Sequence, residues 1–251
     1  MKKYQQCALA RQIVPRTCAL ITNDWACEAK SVNIAENKVF AHDELVVFGV
    51  PSYGGRVPVP AAQGIAKMHG DNTPAVLIVT YGNRAYDDTL LELQNIVEKN
   101  GFAVLAAAAF VTEHSIMHSV AHGRPDEKDI DEIHKFAQNA WAKISGCQAD
   151  QNITRLKLPG KTPYVIYNGI PLKPQATNAC TKCGICAEQC PTGAIAQDSP
   201  NKTDKNVCVS CMRCIKICPN GARRLNPLML SVAEKGFAKK CSERKEPEIF
   251  I

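Results

Sequence analysis

Cys180–Pro191 reads C-T-K-C-G-I-C-A-E-Q-C-P, and Cys208–Pro219 reads C-V-S-C-M-R-C-I-K-I-C-P. Each stretch is C-x2-C-x2-C-x3-C-P, and sixteen residues separate them. A thiolate every third residue lets one tight loop hold three corners of a [4Fe–4S] cube, while the fourth cysteine reaches the other cube. The spacing therefore assigns Cys180, Cys183, Cys186 and Cys218 to one cluster. Cys208, Cys211, Cys214 and Cys190 fall to the second. Pro191 and Pro219 turn the chain away after each fourth cysteine without offering an amide donor.

Zinc is the main competing reading, because C-x2-C pairs also build four-cysteine zinc sites. Zinc needs two pairs of thiolates, whereas this run has a third and fourth cysteine at fixed offsets, twice. A disulfide scaffold is disfavoured because Met1–Arg11 holds no apolar core of secretory-signal length. The remaining cysteines, Cys7, Cys18, Cys27, Cys147 and Cys241, show no paired spacing and read as buried small hydrophobes or free thiols. That complement implies a reducing, cytoplasmic and low-oxygen setting.

The composition, 45% hydrophobic and 22% charged in 251 residues, is that of a globular chain with room for one large and one small domain. The longest apolar run, 102–111, is far too short to span a bilayer, so no membrane span is expected. The formal charge of +6 counts every cysteine as neutral. Two cubanes with their thiolates, at about −2 each, would bring the loaded chain near +2. With 6% aromatic residues and no basic stripe, nucleic-acid binding is not expected.

Ahead of the cysteines the pattern is α/β. L-V-V-F-G-V (45–50), A-V-L-I-V-T (75–80) and A-V-L-A-A-A-A-F-V (103–111) read as strands buried on both faces. Residues 87–101 read as an amphipathic helix capped by Asp87 or Asp88 and closed by Gly101, and 125–144 as another with acids in its first turn. Ahead of these, 17–27 has helical spacing and 29–34 reads as a short strand. Strands and helices alternating at this interval specify a parallel sheet whose ligands bind beyond the carboxyl ends of the strands. The loops there are P-S-Y-G-G-R-V-P-V-P (51–60) and Y-G-N-R-A-Y-D-D (81–88), with glycines for close backbone approach and tyrosines for stacking. The histidines lack a ligand set; His114, at a strand end, reads as structural. Residues 151–175, rich in Pro and Gly, read as a linker between a first domain (1–150) and a cluster domain (176–222). A C-terminal helix and tail (223–251) follow, with 249–251 packing back onto the body.

In the order F-G-V-P-S-Y-G-G-R-V-P, Y-G-N-R-A-Y-D-D, E-H-S-I with G-R-P-D, the double cysteine run and R-K-E-P-E-I-F-I, residues 40–251 resemble fusions of a flavodoxin-like domain to a two-cluster bacterial-type ferredoxin. The resemblance implies a doubly wound sheet with FMN at its strand ends. By matched position Pro51, Ser52, Tyr53, Gly54, Gly55 and Arg56 would form one flavin loop. Thr80, Tyr81, Gly82, Asn83, Tyr86 and Asp88 would form the other, with Tyr53, Gly54, Asn83 and Tyr86 nearest the ring. The chain departs from the family at its start. There A-R-Q-I-V-P-R-T-C-A-L (10–20) has no glycine and a single hydroxyl, Thr17, where an anion-binding loop is expected, and 1–14 do not read as a central strand. Three readings follow: an electron carrier between a redox partner protein and flavin, a ferredoxin whose flavodoxin half only docks a partner, and a flavin oxidoreductase. No acid–base pair or nucleophile singles out a reaction for the last.

Overall fold

The three apolar runs become the middle of a six-stranded sheet in a computed structural model of the chain, which describes residues 3–8, 13–25, 29–32, 36–146 and 154–251. The chain divides into two compact units. Unit 1 is Met1–Glu113, Ala121–Tyr167 and Arg244–Ile251; unit 2 is His114–Val120 and Asn168–Glu243.

Unit 1 contains, in chain order, β1 (Lys3–Ala8), α1 (Ile13–Asn23), β2 (Ala29–Val32), β3 (Val39–Phe40), β4 (Glu44–Pro51), α2 (Val59–Ile65), β5 (His69–Gly70), β6 (Thr73–Tyr81), α3 (Thr89–Lys99), β7 (Phe102–Val111) and α4 (Glu127–Gly146). Unit 2 supplies β8 (Gln175–Ala176), α5 (Ile185–Glu188), α6 (Arg213–Lys216), β9 (Arg223–Arg224) and α7 (Pro227–Lys240). The chain then returns to unit 1 as β10 (Glu248–Phe250). The main sheet runs β2-β1-β4-β6-β7, all parallel, with β10 antiparallel on β7. Counting only the parallel strands in chain order gives 2-1-3-4-5, the flavodoxin-like doubly wound arrangement. The small parallel pair β3–β5 lies outside it.

Successive side chains of the central strands fall on opposite faces, and both faces are dry. Val46, Phe48 and Val50 of β4 share one core with Leu90, Leu93 and Val97 of α3. Leu45 and Val47 share the other with Cys18 and Ile21 of α1 and Phe136 and Ala140 of α4. Phe48 meets the Phe102 ring edge-on at 4.9 Å, a pairing worth about 0.5–1.5 kcal/mol beyond area burial.

The start of the chain corrects the sequence reading. Residues 3–8 pair in parallel with β2 on one side and β4 on the other, and so form a central strand. K-Y-Q-Q-C-A carries no continuous apolar run, so hydropathy gives no sign of it; main-chain pairing to two neighbours specifies the strand instead. The phosphate-loop position between β1 and α1 falls on residues 9–12, outside the described set, as does Ile34 of the expected second strand. Of the expected linker, 154–167 lies in unit 1 and 168–175 in unit 2. Among the described residues no helix is long and apolar enough to cross a membrane.

Unit 2 is built on the two cysteine runs. Each carries a single-turn helix, α5 or α6, entered through a left-handed residue, Gly184 (φ 81°) or Met212 (φ 57°). The antiparallel pair β8–β9 joins the start of the first run to the end of the second. Helix α7 starts on Asn226, whose side chain accepts from Met229 N at 3.1 Å, with Pro227 at its first position. Its Leu230, Ala233 and Phe237 pack on Ile116, Met117 and Val120.

That packing half-buries His114, whose Nδ1 accepts hydrogen bonds from Ile116 N (3.2 Å) and Met117 N (3.1 Å), so this nitrogen must keep its lone pair. Burial, with the nearby His118, pushes the His114 pKa down to about 4 against an opposing pull from Glu234. The unfolded chain therefore binds a proton near pH 6.5 that the folded chain refuses until about pH 4. Stability contributed here is complete above pH 6.5 and falls as the pH drops, by up to about 3 kcal/mol. In His114→Asn, whose amide oxygen can take the same two N–H groups, the urea midpoint is expected to vary less over that window than in the wild type. Identical slopes would contradict the half-buried neutral imidazole.

Candidate functional site

Within unit 2 the eight cysteines surround two hollows. Cys180, Cys183, Cys186 and Cys218 line one, together with Pro200 and Arg223. Cys190, Cys208, Cys211 and Cys214 line the other, together with Ile195 and Arg213. Each hollow thus takes three cysteines from one run and the fourth from the other. This is what the turn at each C-P-x-G-A segment achieves, with Gly193 (φ 67°) and Gly221 (φ 55°) in the left-handed region.

The donor chemistry suits an iron–sulfur cluster. Burial pushes the Cys214 thiol up to about 12 and raises Cys211, partly offset by the nearby Arg223 and by Arg213, respectively. Burial acts the same way on Cys218, but the amides of Ala222, Asn220 and Arg223 outweigh it, and its pKa is lowered. Ala222 N donates to Cys218 Sγ at 3.2 Å, and Ser210 N to Cys208 Sγ at 3.4 Å. Thiols held protonated by burial release their protons when iron binds, which makes binding tighter at higher pH. Among the described residues no three Cys, His, Asp or Glu side chains converge on one metal ion. A single zinc would draw its thiolates to about 2.3 Å from one point, whereas a cubane bonds each thiolate to a different iron and leaves them spread around a hollow.

Residues 179–223 match the model of the 4Fe-4S dicluster domain family. The chain thus pairs an iron–sulfur domain with a flavodoxin-like sheet, the make-up of a flavodoxin–ferredoxin fusion. No curated protein matches it. Solved structures similar to it include a Streptococcus pneumoniae TIGR4 flavodoxin, 11% identical, covering 57% of this chain and 99% of its own, with a TM-score of 0.40. A short-chain flavodoxin associated with a non-canonical PDU bacterial microcompartment is 11% identical, with 58% of this chain and 99% of its own covered and a TM-score of 0.39. Rubredoxin oxygen:oxidoreductase of Desulfovibrio gigas is 11% identical, with 58% of this chain and 37% of its own covered and a TM-score of 0.39. The strand order, rather than these scores, carries the fold.

The two loops expected to hold FMN stand at the carboxyl ends of β4 and β6, and the chain's own atoms occupy most of their polar groups. Tyr53 and Arg56 close a two-residue turn through N–H···O bonds of 3.0 and 3.2 Å, with Gly54 (φ 59°) and Gly55 (φ 84°) at its tip. A Cβ on Gly54 would overlap the Tyr167 ring. Arg56 forks onto the buried Glu92 at 2.8 and 2.7 Å, donates to Val165 O at 3.0 Å and lies over the Tyr164 ring. Ser52 follows Pro51 and bonds Thr89 through their hydroxyls at 2.8 Å, while its N–H meets the carbonyl of the buried Thr80.

Of Asp87 and Asp88, the two candidates to cap α3, Asp88 holds the N-cap position but its side chain makes no cap bond; its carboxylate takes Lys161 N at 2.9 Å and Val165 N at 2.6 Å. Asn83 Oδ1 accepts from Lys245 N at 3.2 Å. Tyr86 donates to Glu248 at 2.7 Å and packs edge-on against the buried Tyr81, whose pKa burial pushes up to about 12. Glu92, Tyr164 and Tyr167 escape sequence reasoning because nothing in their spacing ties them to the distant Arg56 and Gly54. Arg223, in the cluster wall, has a readable sign: the first run continues C-P-T-G-A-I, the second C-P-N-G-A-R.

Proposed function

We propose that this protein is an electron carrier that passes single electrons through two [4Fe–4S] clusters, one held by Cys180, Cys183, Cys186 and Cys218 and the other by Cys208, Cys211, Cys214 and Cys190. The observation that supports it is the crossing of the fourth cysteine, which gives each hollow four thiols from both runs. The clusters supply one-electron chemistry; the chain's residues hold the thiolates, donate amides to sulfur and limit solvent, which set the potential. A redox partner protein delivers or takes the electrons. FMN at Pro51–Arg56 and Thr80–Asp88 would join pairs of one-electron steps to two-electron chemistry, as the family resemblance implies.

A second reading keeps the clusters and gives unit 1 a docking role. It draws support from the loop side chains being engaged by the chain itself: Arg56 by Glu92, Asp88 by 161 and 165, Asn83 by 245 and Tyr86 by Glu248. One anaerobic preparation tests both. About eight irons and about eight sulfides per chain are expected. About one extracted FMN per chain favours the flavin-linked carrier, and none after added FMN favours docking. Zinc in place of iron would overturn the proposal.

A further inference from the structure

Arg223 lines the hollow of Cys180, Cys183, Cys186 and Cys218 and is 2% exposed. It stands five residues past Cys218; five past Cys190, in the matching half, stands Ile195, 4% exposed. A guanidinium therefore fills the place that an aliphatic side chain fills beside the other hollow. Two of its nitrogens have partners: Nη1 donates to Thr203 Oγ1 at 2.5 Å, and Nη2 to the carbonyls of Pro200 and Lys202. Nε is buried with no hydrogen-bond partner. Among the described residues no carboxylate lies within ion-pair distance of Arg223. A buried guanidinium with an unmet N–H and no counter-charge is strongly unfavourable unless an anion answers it.

We infer that Arg223 serves as a positioning and tuning residue, setting its Nε–H and its charge against the anionic cluster of Cys180, Cys183, Cys186 and Cys218, and so favouring that cluster's reduced form. The inference rests on the two-cluster reading. Reduction adds negative charge, so a fixed cation and a hydrogen bond to sulfur favour the reduced form. Burial keeps solvent from screening this. The arginine beside the second hollow, Arg213, is half-buried and donates to Gln189 O at 3.2 Å, so water weakens its effect.

Redox titration followed by EPR on anaerobically purified Arg223→Met tests the inference, with iron counted first. The variant is expected to keep its iron while one cluster becomes harder to reduce by on the order of tenfold, about 59 mV for one electron. Arg223→Lys, which keeps the charge, should recover part of that shift. Full iron with both potentials unchanged in Arg223→Met would overturn it. Should that variant lose iron, wild-type protein decides. With 15N at its arginine guanidino nitrogens, pulsed EPR of the reduced protein should show a coupling to one cluster that survives Arg213→Lys. No such coupling, or one abolished by Arg213→Lys, would overturn the inference. Wild-type protein that holds no iron would instead overturn the cluster reading, and this with it.

Discussion

Cys218→Ala, purified without oxygen, is expected to hold about four irons instead of about eight, and Cys190→Ala the same. Iron content alone does not say which cluster is gone, because a run that wrapped its own cube would lose four as well. Pairing the substitutions separates the two arrangements. Cys218 lines the hollow of Cys180, Cys183 and Cys186, so Cys183→Ala/Cys218→Ala removes two ligands of one cluster and should still retain about four irons. Cys211→Ala/Cys218→Ala removes one ligand from each cluster and should retain close to none. If each run held its own cube, the two double variants would exchange results, and the crossed assignment would fall. Iron and acid-labile sulfide on the same samples suffice as the measurement.

Arg124→Met is expected to destabilise unit 1 by about 3–5 kcal/mol, the usual penalty for removing one partner of a buried ion pair. Arg124 and Asp129 leave only 6% and 1% of their side chains exposed. Arg124 Nε donates to Asp129 at 2.7 Å, and Nη1 holds the carbonyl of Lys245 at 2.7 Å. Without the guanidinium, the Asp129 carboxylate keeps the amide of Asp126 and a long contact from the part-exposed Arg244, too little to replace a buried charge. Arg244→Ala makes the contrast. Its bonds to Asp126 lie in solvent, where such pairs contribute about 0–1 kcal/mol. Urea denaturation followed by far-UV circular dichroism reads both. Equal losses in the two variants, or less than about 1 kcal/mol in Arg124→Met, would contradict the burial argument.

How much of this was legible depended on whether a residue's role lies in its own neighbourhood. The runs at 45–50, 75–80 and 103–111 are buried on both faces, so hydropathy alone marks β4, β6 and β7, and the cysteine spacing marks both hollows. β1 has no such mark: Lys3–Ala8 is a strand because two neighbours accept and donate its main-chain bonds. The loop residues show a third case. Glycine and tyrosine at 53–55 and 81–86 read as ligand-facing, yet Asp88, Arg56 and Tyr86 meet residues 161, 165 and 248, contacts that no local pattern encodes. Arg223 was open to view through the internal repeat, which sets it opposite Ile195.

The antiparallel strand β10 has a consequence for how the molecule is made. The Ala107–Ala109 stretch of β7 pairs with Glu248–Phe250, residues that leave the ribosome some 137 positions after Val111. At about 5–20 residues per second that is roughly 7–27 s during which an apolar strand edge stands uncovered in the nascent chain. Both cysteine runs are translated inside that interval. Iron–sulfur assembly and the sealing of the sheet edge therefore share one time window, and slow metal supply would coincide with the period when the growing chain is most prone to pair with another copy of itself.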